Sequence, residues 1–202
     1  MWKIQIIRIS SVYLYSNRGR LESVCFNNSM NIRKATEQDI DRITEIYSAI
    51  HDEEESGRVS IGWNRSIYPV RKTAADAVSR GDMFVEEDAG QIVATGIINQ
   101  KQVAEYANCR WEYNAAEDEV MVLHTLIVDP NIKGHGYGTA FVKFYEQYAK
   151  KHDCHYLRMD TNAINQVARK MYAKLGYKEP GIVPCVFNGI PNVQLVCLEK
   201  KI

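Results

Sequence analysis

The stretch "VDPNIKGHGYGTA", residues 128–140, places glycines at every second position between an apolar run and a helical pattern. Glycine loses more conformational freedom on folding than other residues, so such a cluster indicates either a simple turn or a backbone that something must approach closely. A loop that leads from a strand into a helix presents unpaired N–H groups beside the positive end of the helix dipole. The stretch therefore predicts an anion site in which Gly134, Gly136 and Gly138 admit a diphosphate and Lys133 adds a positive charge.

The composition is typical of a globular protein with one core. The chain has 202 residues, 46% of them hydrophobic, and its 25 Lys and Arg balance its 25 Asp and Glu. A neutral chain has no net field that would gather nucleic acid or an anionic membrane surface, so neither is expected as a partner. The five cysteines form no C-x-x-C pair, which predicts reduced packing residues in a cytoplasmic protein.

The first 29 residues differ from the rest of the chain. We interpret residues 1–29 as an N-terminal extension, which could be an added strand, a disordered tail or the product of an upstream start codon. The domain itself, residues 30–202, begins with Thr36 and Asp39 at the spacing of a capping box, ahead of an amphipathic helix. Arg8 interrupts the opening apolar run and no stretch approaches 18 apolar residues, so neither export nor a transmembrane helix is expected.

The hydrophobic periodicity of the remaining chain predicts a single mixed α/β domain. Helical patterns cover roughly residues 37–52 and the segments "VRKTAADAVSRG", "GYGTAFVKFYEQYAKKH" and "NQVARKMYAKLG", the last of which ends at Gly176. Strand patterns cover "DMFVEEDAG", "QIVATGIINQ", "EVMVLHTLIVD", "CHYLRMDT", "KEPGIVPCVFNG" and "NVQLVCLEKKI". Their order predicts a mostly antiparallel sheet of about six to seven strands flanked by about four helices, with a parallel βαβ segment around the glycine loop.

Three nucleotide-binding motifs compete for the glycine loop. A P-loop requires G-x-x-x-x-G-K-[ST], which the chain lacks. A dinucleotide-binding fingerprint requires a glycine where Thr139 stands, although Asp160 lies near the position of its acidic residue. From Met30, about a hundred residues of helix and meander precede the loop, and only about sixty follow it, which is too few for the usual run of βα units. The third motif, [Q/R]-x-x-G-x-[G/A], fits with Lys133 in the basic position and Gly136 and Gly138 in the small ones.

On this third motif the chain resembles the GNAT N-acetyltransferase superfamily. The segment "LIVDPNIKGHGYGTAF" is similar to that family's strand, proline-containing turn, pyrophosphate loop and helix. The segment "TNAINQVARKMYAKLGY" resembles its later asparagine, short helix and aromatic-X-Lys-Leu-Gly step. The resemblance covers residues 30 to about 200 and implies the fold described above, with a reaction in which an amine attacks the thioester of acetyl-CoA.

The resemblance also implies a role for particular residues. The main chain of residues 134–139 would hold the pyrophosphate, the strand segment 126–128 would pair with the pantetheine arm, and Asn165 would bond that arm from its other side. Tyr172 would protonate the departing thiolate. The implied cofactor-binding set is Leu126, Ile127, Val128, Lys133, Gly134, His135, Gly136, Tyr137, Gly138, Thr139, Asn165 and Tyr172.

An amine acceptor also needs a proton acceptor. A lysine-like amine has a pKa near 10.4, so its deprotonation at pH 7 costs roughly 4.6 kcal/mol at about 1.36 kcal/mol per unit. Our candidate bases are Glu119 at the head of the long strand and His124 within it, acting directly or through water. Strand alternation predicts that His124 and Leu126 point to the same face, within reach of the thioester. A histidine satisfied in the core is the alternative.

The acceptor itself is not defined by the sequence. Asp52, Glu53, Glu54 and Glu55, followed by Trp63 and Tyr68, could suit a cationic amine or form a solvated acidic turn. The insertion "KQVAEYANCRWEYNAAEDE" could line or cover the acceptor pocket.

The remaining sequence features bear on a metal site, on a homodimer and on alternative functions. His152, Cys154 and His155 lack a second ligand cluster, so no metal is expected. The apolar segment "NVQLVCLEKKI" suggests a sheet edge for a homodimer. A CoA-binding module without catalysis and a dinucleotide-dependent oxidoreductase are the alternative functions.

Overall fold

The computed structural model of the protein describes residues 12–15, 21–24, 31–132 and 134–202. Contacts divide the chain into two units, Met1–Met30 and Asn31–Ile202. In the first unit, β1 (Val12–Tyr15) pairs antiparallel with β2 (Leu21–Val24). The other residues of the predicted extension lie outside the described part of the chain, so its interpretation stays a prediction.

The second unit is built on one mixed sheet. Its strands are β3 (Asn31–Lys34), β4 (Met83–Asp88), β5 (Gln91–Asn99), β6 (Val120–Val128), β7 (Tyr156–Asn162), β8 (Lys178–Phe187) and β9 (Ile190–Lys201). The seven strands lie in the order β3-β4-β5-β6-β7-β9-β8. All neighbours are antiparallel except β6 and β7, which are parallel. The predicted mostly antiparallel sheet with one parallel segment is confirmed.

Four α-helices accompany the sheet: α1 (Ile40–Glu55), α2 (Arg71–Arg80), α3 (Tyr137–Lys151) and α4 (Gln166–Lys174). The predicted capping box is present, because the Asp39 carboxylate accepts hydrogen bonds from the Thr36 backbone at 2.7 Å and the Thr36 hydroxyl at 2.9 Å. Gly176, with φ of 85°, follows α4 as the sequence predicts. The first helix runs three residues beyond its predicted end.

The helices cover the two faces of the sheet. On one face, α3 and α4 pack on a cluster that includes Phe84, Leu123, Phe141, Tyr145 and Met159. On the other face, α1 and α2 pack on a cluster that includes Ile43, Ile46, Val85, Ile97 and Ile127. A third cluster, with Tyr106, Val122, Val183, Leu195 and Cys197, brings the insertion between β5 and β6 onto β8 and β9. Phe84 and Val85 belong to different clusters because successive side chains of a strand point to opposite faces.

A β-bulge interrupts β6. Thr95 of β5 pairs with Ile127, but Ile97 pairs with His124, so Thr125 and Leu126 together lie opposite Gly96. Thr125 takes a φ of 53°, in the left-handed region. Gly96 has no room for a side chain, because a Cβ would come 2.8 Å from Cε1 of Phe141. The bulge therefore shifts the alternation of β6 by one residue for its last part.

The predicted dimer edge is wrong. Strand β9, which contains "NVQLVCLEKKI", pairs with β7 through residues 195–201 on one side and with β8 on the other, so it lies inside the sheet and not at its edge. The sheet edges are β3 and β8. None of the helices in the described ranges is both long and apolar enough to cross a bilayer.

The described cysteines are unpaired. Cys109, Cys154, Cys185 and Cys197 are all free thiols, and Cys154 and Cys197 are buried. Burial raises the pKa of each of these thiols. Cys25 lies outside the described residues.

Candidate active site

A cavity of about 480 Å³ opens where β6 and β7 stop pairing. Leu123 and Met159 are the last paired residues of the two strands. Beyond them, residues 124–128 of β6 and 160–162 of β7 line the cavity. A ligand between the diverging strands can reach backbone groups of β6 that β7 leaves unpaired.

The bulge sends His124 and Leu126 to opposite faces of the sheet. His124 lies opposite Ile97, which belongs to the cluster under α1, whereas Leu126 packs on the cluster under α3. The prediction that they share a face is wrong, because alternation fails across the extra residue. Tyr172 and Trp63, which come from clusters on opposite faces, both line the cavity. The cavity therefore passes between the strands from one face to the other.

The glycine loop lies beyond the end of β6 and outside the cavity lining. Gly134 and Gly136 have φ of 94° and 83°, and a Cβ on either would meet no atom within 4 Å. Gly136 is the N-cap of α3, so the N–H groups of Tyr137, Gly138 and Thr139 have no acceptor inside the helix. The loop offers an open, left-handed main chain beside a helix N-terminus, and this arrangement suits a diphosphate. Lys133 lies outside the described residues.

Close packing joins the start of α3 to the cavity wall. A Cβ on Gly138 would come 3.2 Å from Sδ of Met171 in α4 and 3.5 Å from Cγ2 of Val128. The ring of His135 stacks on Tyr137 at 5.6 Å between centroids. The Tyr137 hydroxyl donates to Asp88 at 2.5 Å, and this bond raises its pKa to about 12.

The structure brings Tyr172 and Asn165 into the cavity wall. Tyr172 is 6% exposed, and its pKa lies above the ordinary value of a tyrosine because burial and the charge of Asp160 both disfavour the phenolate. The hydroxyl therefore keeps its proton at neutral pH. Asn165 caps α4, since its Oδ1 accepts from the backbone N–H of Ala168 at 3.1 Å. This cap leaves the Asn165 Nδ2 group able to donate to a ligand.

The two predicted bases have different surroundings. Glu119 accepts from the backbone N–H of Ala116 at 3.0 Å and does not line the cavity. It precedes His124 by five residues, or about 16 Å of strand at about 3.3 Å per residue, so the structure does not bring it to the site. His124 does line the cavity.

His124 is a poor proton acceptor in this setting. Its Nε2 lies 3.2 Å from Oδ1 of Asn99. The orientation of the Asn99 amide is fixed by two partners: the Lys101 N–H donates to its Oδ1, and Asp82 accepts from its Nδ2. Because Oδ1 can only accept, the imidazole must be the donor. Burial lowers the pKa of His124 to about 4. The ring is therefore neutral at pH 7, and protonating it is costly.

Asp160 is a carboxylate of the site that the sequence assigned only to the dinucleotide-binding alternative. It is the first residue of β7 beyond the last pair and lines the cavity. The Tyr106 hydroxyl donates to its Oδ2 at 2.7 Å. Burial raises the pKa of Asp160 to about 6. The sequence did contain one indication that Asp160 lies at the site. It stands at the end of the strand pattern "CHYLRMDT", after two apolar core positions.

The four acidic residues after the first predicted helix hold the next segment of chain in place. Asp52 and Glu55 bind Arg65 at 2.5 Å and 2.9 Å. Glu54 accepts from the backbone N–H groups of Ile61 and Gly62 at 2.6 Å and 3.0 Å. The residues 52–55 belong to α1 and do not line the cavity, so the suggestion that they bind a cationic acceptor is wrong.

The aromatic residues that follow them do line the cavity. Trp63 and Tyr68 meet edge to face with centroids 6.1 Å apart. Lys101, Gln102 and Val103 of the insertion also line it. The lining therefore combines aromatic residues with polar and charged ones, among them Asp76 and Arg80 of α2. In the described part of the chain, no three His, Cys, Asp or Glu side chains are arranged to hold a metal ion.

Comparison with known proteins defines the family. Residues 41–177 match the acetyltransferase (GNAT) family, which is more than half of the chain. The chain therefore belongs to the GNAT family. Members of this family use acetyl-CoA, and the open loop at Gly134 and Gly136 fits such a ligand because a side chain there would fill the space its diphosphate needs.

Individual relatives agree with this placement. The chain is 28% identical over 153 residues to a protein of Methanocaldococcus jannaschii described as the uncharacterized N-acetyltransferase MJ1207. That match covers 75% of this chain and 62% of the relative, so the chain spans less than two thirds of its length.

Solved structures share the fold. A GNAT family acetyltransferase from Streptococcus agalactiae superimposes with a TM-score of 0.71 at 22% identity, over 86% of this chain and 95% of that one. The yncA protein of Salmonella typhimurium, whose structure was determined with its cofactor acetyl-CoA, superimposes with a TM-score of 0.61 at 16% identity. The match covers 86% of this chain and 94% of that one. A dinucleotide-binding oxidoreductase has a doubly wound parallel sheet, so the single parallel pair seen here removes that alternative.

Proposed function

We propose that this protein transfers the acetyl group of acetyl-CoA directly to the primary amine of a small molecule or peptide. The observation that carries the proposal is the cleft between β6 and β7, which has Tyr172 in its wall and the glycine loop beyond its end. The cleft supports direct attack because it opens to both faces of the sheet. A thioester on one side and an amine on the other can meet between the strands.

The cofactor side is assigned as follows. Backbone N–H groups of residues 134–139 hold the diphosphate, and Lys133 adds a positive charge. The main chain of residues 126–128 bonds the pantetheine arm as an extra strand would, and the free Nδ2 of Asn165 donates to it from the other side. His135 and Tyr137 flank the loop with their stacked rings.

The chemistry assigned to Tyr172 follows from its protonation. Its pKa is raised by burial and by Asp160, so the hydroxyl is intact over the physiological pH range. Such a group can donate a proton to the thiolate that leaves when the C–S bond breaks. The hydrogen bond from Nε2–H to Asn99 holds the ring of His124 in place. His124 therefore stays a candidate for orienting the amine or a water molecule.

The test has a binding arm and a transfer arm. Acetyl-CoA at a hundredfold its dissociation constant should stabilise the protein by roughly 2.7 kcal/mol, whereas NAD and ATP should not. Thiol release from acetyl-CoA is then measured over a panel of defined amines, from amino acids to polyamines and short peptides. Tyr172→Phe should lower turnover about a hundredfold and leave acetyl-CoA binding intact.

Tyr177→Phe is the matched control for this variant. Tyr177 is 4% exposed and packs on Tyr172 at 6.0 Å between centroids, but it does not line the cavity. Its turnover should match the wild type. Full turnover in Tyr172→Phe would remove the tyrosine from its assigned role.

The alternative is a CoA-binding protein without catalysis. The exposed glycine loop favours it, because that loop suffices for binding and needs no acceptor pocket. A protein that binds acetyl-CoA tightly and releases no thiol with any amine of the panel would support this alternative over transfer.

A further inference from the structure

We infer that Asp160 binds the ammonium group of the acceptor and takes its proton, an inference that rests on the proposed acetyl transfer. Asp160 stands at the point where β6 and β7 separate, directly after the last paired residue of its strand. The cavity reaches this carboxylate. It therefore lies where the two substrates have to meet.

The hydrogen bonds of Asp160 leave one oxygen available. Oδ2 accepts the Tyr106 hydroxyl at 2.7 Å, while Oδ1 has no hydrogen-bond partner among the described residues. Tyr106 is 2% exposed and packs edge to face on Trp111 at 5.1 Å, so the donor is held in place. A fixed Oδ2 orients the plane of the carboxylate and aims Oδ1 at a ligand.

The charge of Asp160 is unpaired in the described part of the chain. No Lys or Arg forms an ion pair with it there, and the guanidinium of the cavity-lining Arg80 is bound to Asp82 at 2.9 Å. A carboxylate removed from water favours a cationic partner strongly, because both charges are poorly screened in a cavity. A protonated primary amine supplies that charge and the hydrogen-bond donors that Oδ1 lacks.

The carboxylate is also linked to the acid of the reaction. Burial raises the pKa values of Tyr172 and Tyr68, which line the cavity with it, and the negative charge of Asp160 adds to that rise. Tyr172 belongs to the face covered by α3 and α4, whereas Asp160 contacts Tyr106 on the opposite face. The proposed acid and base therefore flank the cleft from its two sides, as transfer between the strands requires.

The proton balance of the reaction is as follows. One ammonium proton passes to Asp160 and from there to solvent. The nitrogen lone pair then attacks the thioester carbon, a C–N bond forms and the C–S bond breaks with its electron pair on sulfur. The Tyr172 hydroxyl gives its proton to the thiolate and is replenished by the second proton lost from nitrogen. The third proton stays on the amide product.

Several groups set the protonation of Asp160. Burial raises its pKa to about 6, and the hydrogen bond from Tyr106 opposes that rise. The titratable and charged groups around it are Glu105 and Tyr106 of the insertion, Tyr172 of α4, Tyr68 before α2, Cys185 of β8, Cys197 of β9, and the cavity-lining His124, Lys101, Asp76 and Arg80. A carboxylate base works in its ionised form, so activity should decline as the pH falls through about 6.

The decisive variant is Asp160→Asn, assayed with the amine of the panel that the wild type acetylates best. The value of kcat/KM should fall about a hundredfold or more, while acetyl-CoA still stabilises the variant by the wild-type amount. The acid limb of the pH profile should disappear. Wild-type activity and an unchanged pH profile in the variant would overturn the inference without touching the proposed function. A wild type that acetylates no amine would remove both.

Tyr106→Phe tests the same carboxylate without removing it. Loss of the hydrogen bond to Asp160 should move the acid limb upward by about one pH unit, because that bond favours the ionised carboxylate. Tyr145→Phe is the matched control. Tyr145 is fully buried and donates to the carbonyl of Met121 at 2.6 Å, outside the cavity. The inference fails if Tyr106→Phe leaves the acid limb of the pH profile unchanged, or if Tyr145→Phe shifts it as well.

Discussion

The hydroxyl of Tyr68 is hydrogen-bonded to Oγ1 of Thr125, which joins the segment between α1 and α2 to the bulge of β6. Thr125 holds a φ of 53°, a conformation that costs a non-glycine residue roughly 1–3 kcal/mol and is retained only where neighbours enforce it. Tyr68 also contacts Trp63 across the cavity wall. The acceptor side and the diverging strand are therefore one connected unit.

Tyr68→Phe should weaken acceptor binding. Removing one hydrogen bond of about 1 kcal/mol should raise the KM of the amine about fivefold, because Trp63 and the bulge lose their connection. Steady-state kinetics with saturating acetyl-CoA measures this change. Tyr148→Phe, in a partly buried residue of α3 outside the cavity, should behave as the wild type. A fivefold loss of acetyl-CoA affinity in Tyr68→Phe instead would place Tyr68 on the cofactor side.

Gly136→Ala should weaken acetyl-CoA binding at least tenfold. The left-handed φ of 83° costs an L-residue about 1–2 kcal/mol, and the new Cβ would occupy the open space in front of the loop. Isothermal titration measures the affinity, and urea denaturation measures the free energy of unfolding.

Gly90→Ala separates strain from ligand contact. Gly90 has φ of 78° and no atom within 4 Å of a Cβ, but it lies in the turn between β4 and β5. Its alanine variant should lose similar stability and keep full acetyl-CoA affinity. Equal losses of affinity in both variants would mean that the open space at Gly136 is not a ligand site.

Much of the fold follows from local patterns. The strand β4 with the turn that follows it, the helical period of α3 and the capping box at Thr36 and Asp39 each depend on neighbouring residues, so the sequence predicts them correctly. The glycine loop is predicted for the same reason, since a strand, glycines and a helix follow one another directly.

The errors arise where distant residues decide the outcome. The bulge at Thr125 lies opposite Gly96, where Phe141 from α3 leaves no room for a side chain. Asp160 becomes a site residue only when the insertion brings Tyr106 to it, 54 positions away. The carboxylates at the end of α1 are occupied by Arg65 and by backbone groups that no periodicity indicates. Tertiary contacts of this kind leave no signal in a single sequence.

Asp39→Asn should destabilise the protein at neutral pH but not in acid. Arg33 reaches the Asp39 carboxylate at 2.8 Å and 2.9 Å, and these bonds hold its pKa at about 2, below the ordinary 3.8. A depressed pKa stabilises the fold above the unfolded value, and the effect is lost as the pH falls through about 2. The difference from wild type should be about 2 kcal/mol at pH 7 and vanish near pH 2.

Urea denaturation across this pH range is the measurement for Asp39→Asn. Glu37→Gln is the control, because Glu37 is exposed and belongs to the same turn. If the difference in free energy of unfolding between Asp39→Asn and wild type stayed constant from pH 7 to pH 2, the charge of the Asp39 carboxylate would not contribute to stability.

Glu86 should produce a pH dependence of the opposite sign. Its side chain, in β4, is 0% exposed, and neither carboxylate oxygen has a hydrogen-bond partner in the described ranges. Burial and the charge of Asp88 raise its pKa from 4.5 to about 7. The folded state therefore holds a proton that the unfolded state releases at lower pH.

Glu86→Gln should make the stability of the protein less dependent on pH. A raised pKa favours the fold fully below the unfolded value, and that contribution is lost as the pH rises through about 7. The wild type should lose about 3 kcal/mol between pH 4 and pH 8 that the variant keeps, at about 1.36 kcal/mol per unit. Urea denaturation at each pH measures the difference, with Glu37→Gln again as the control. Parallel curves for Glu86→Gln and wild type would mean that Glu86 ionises freely in the folded protein.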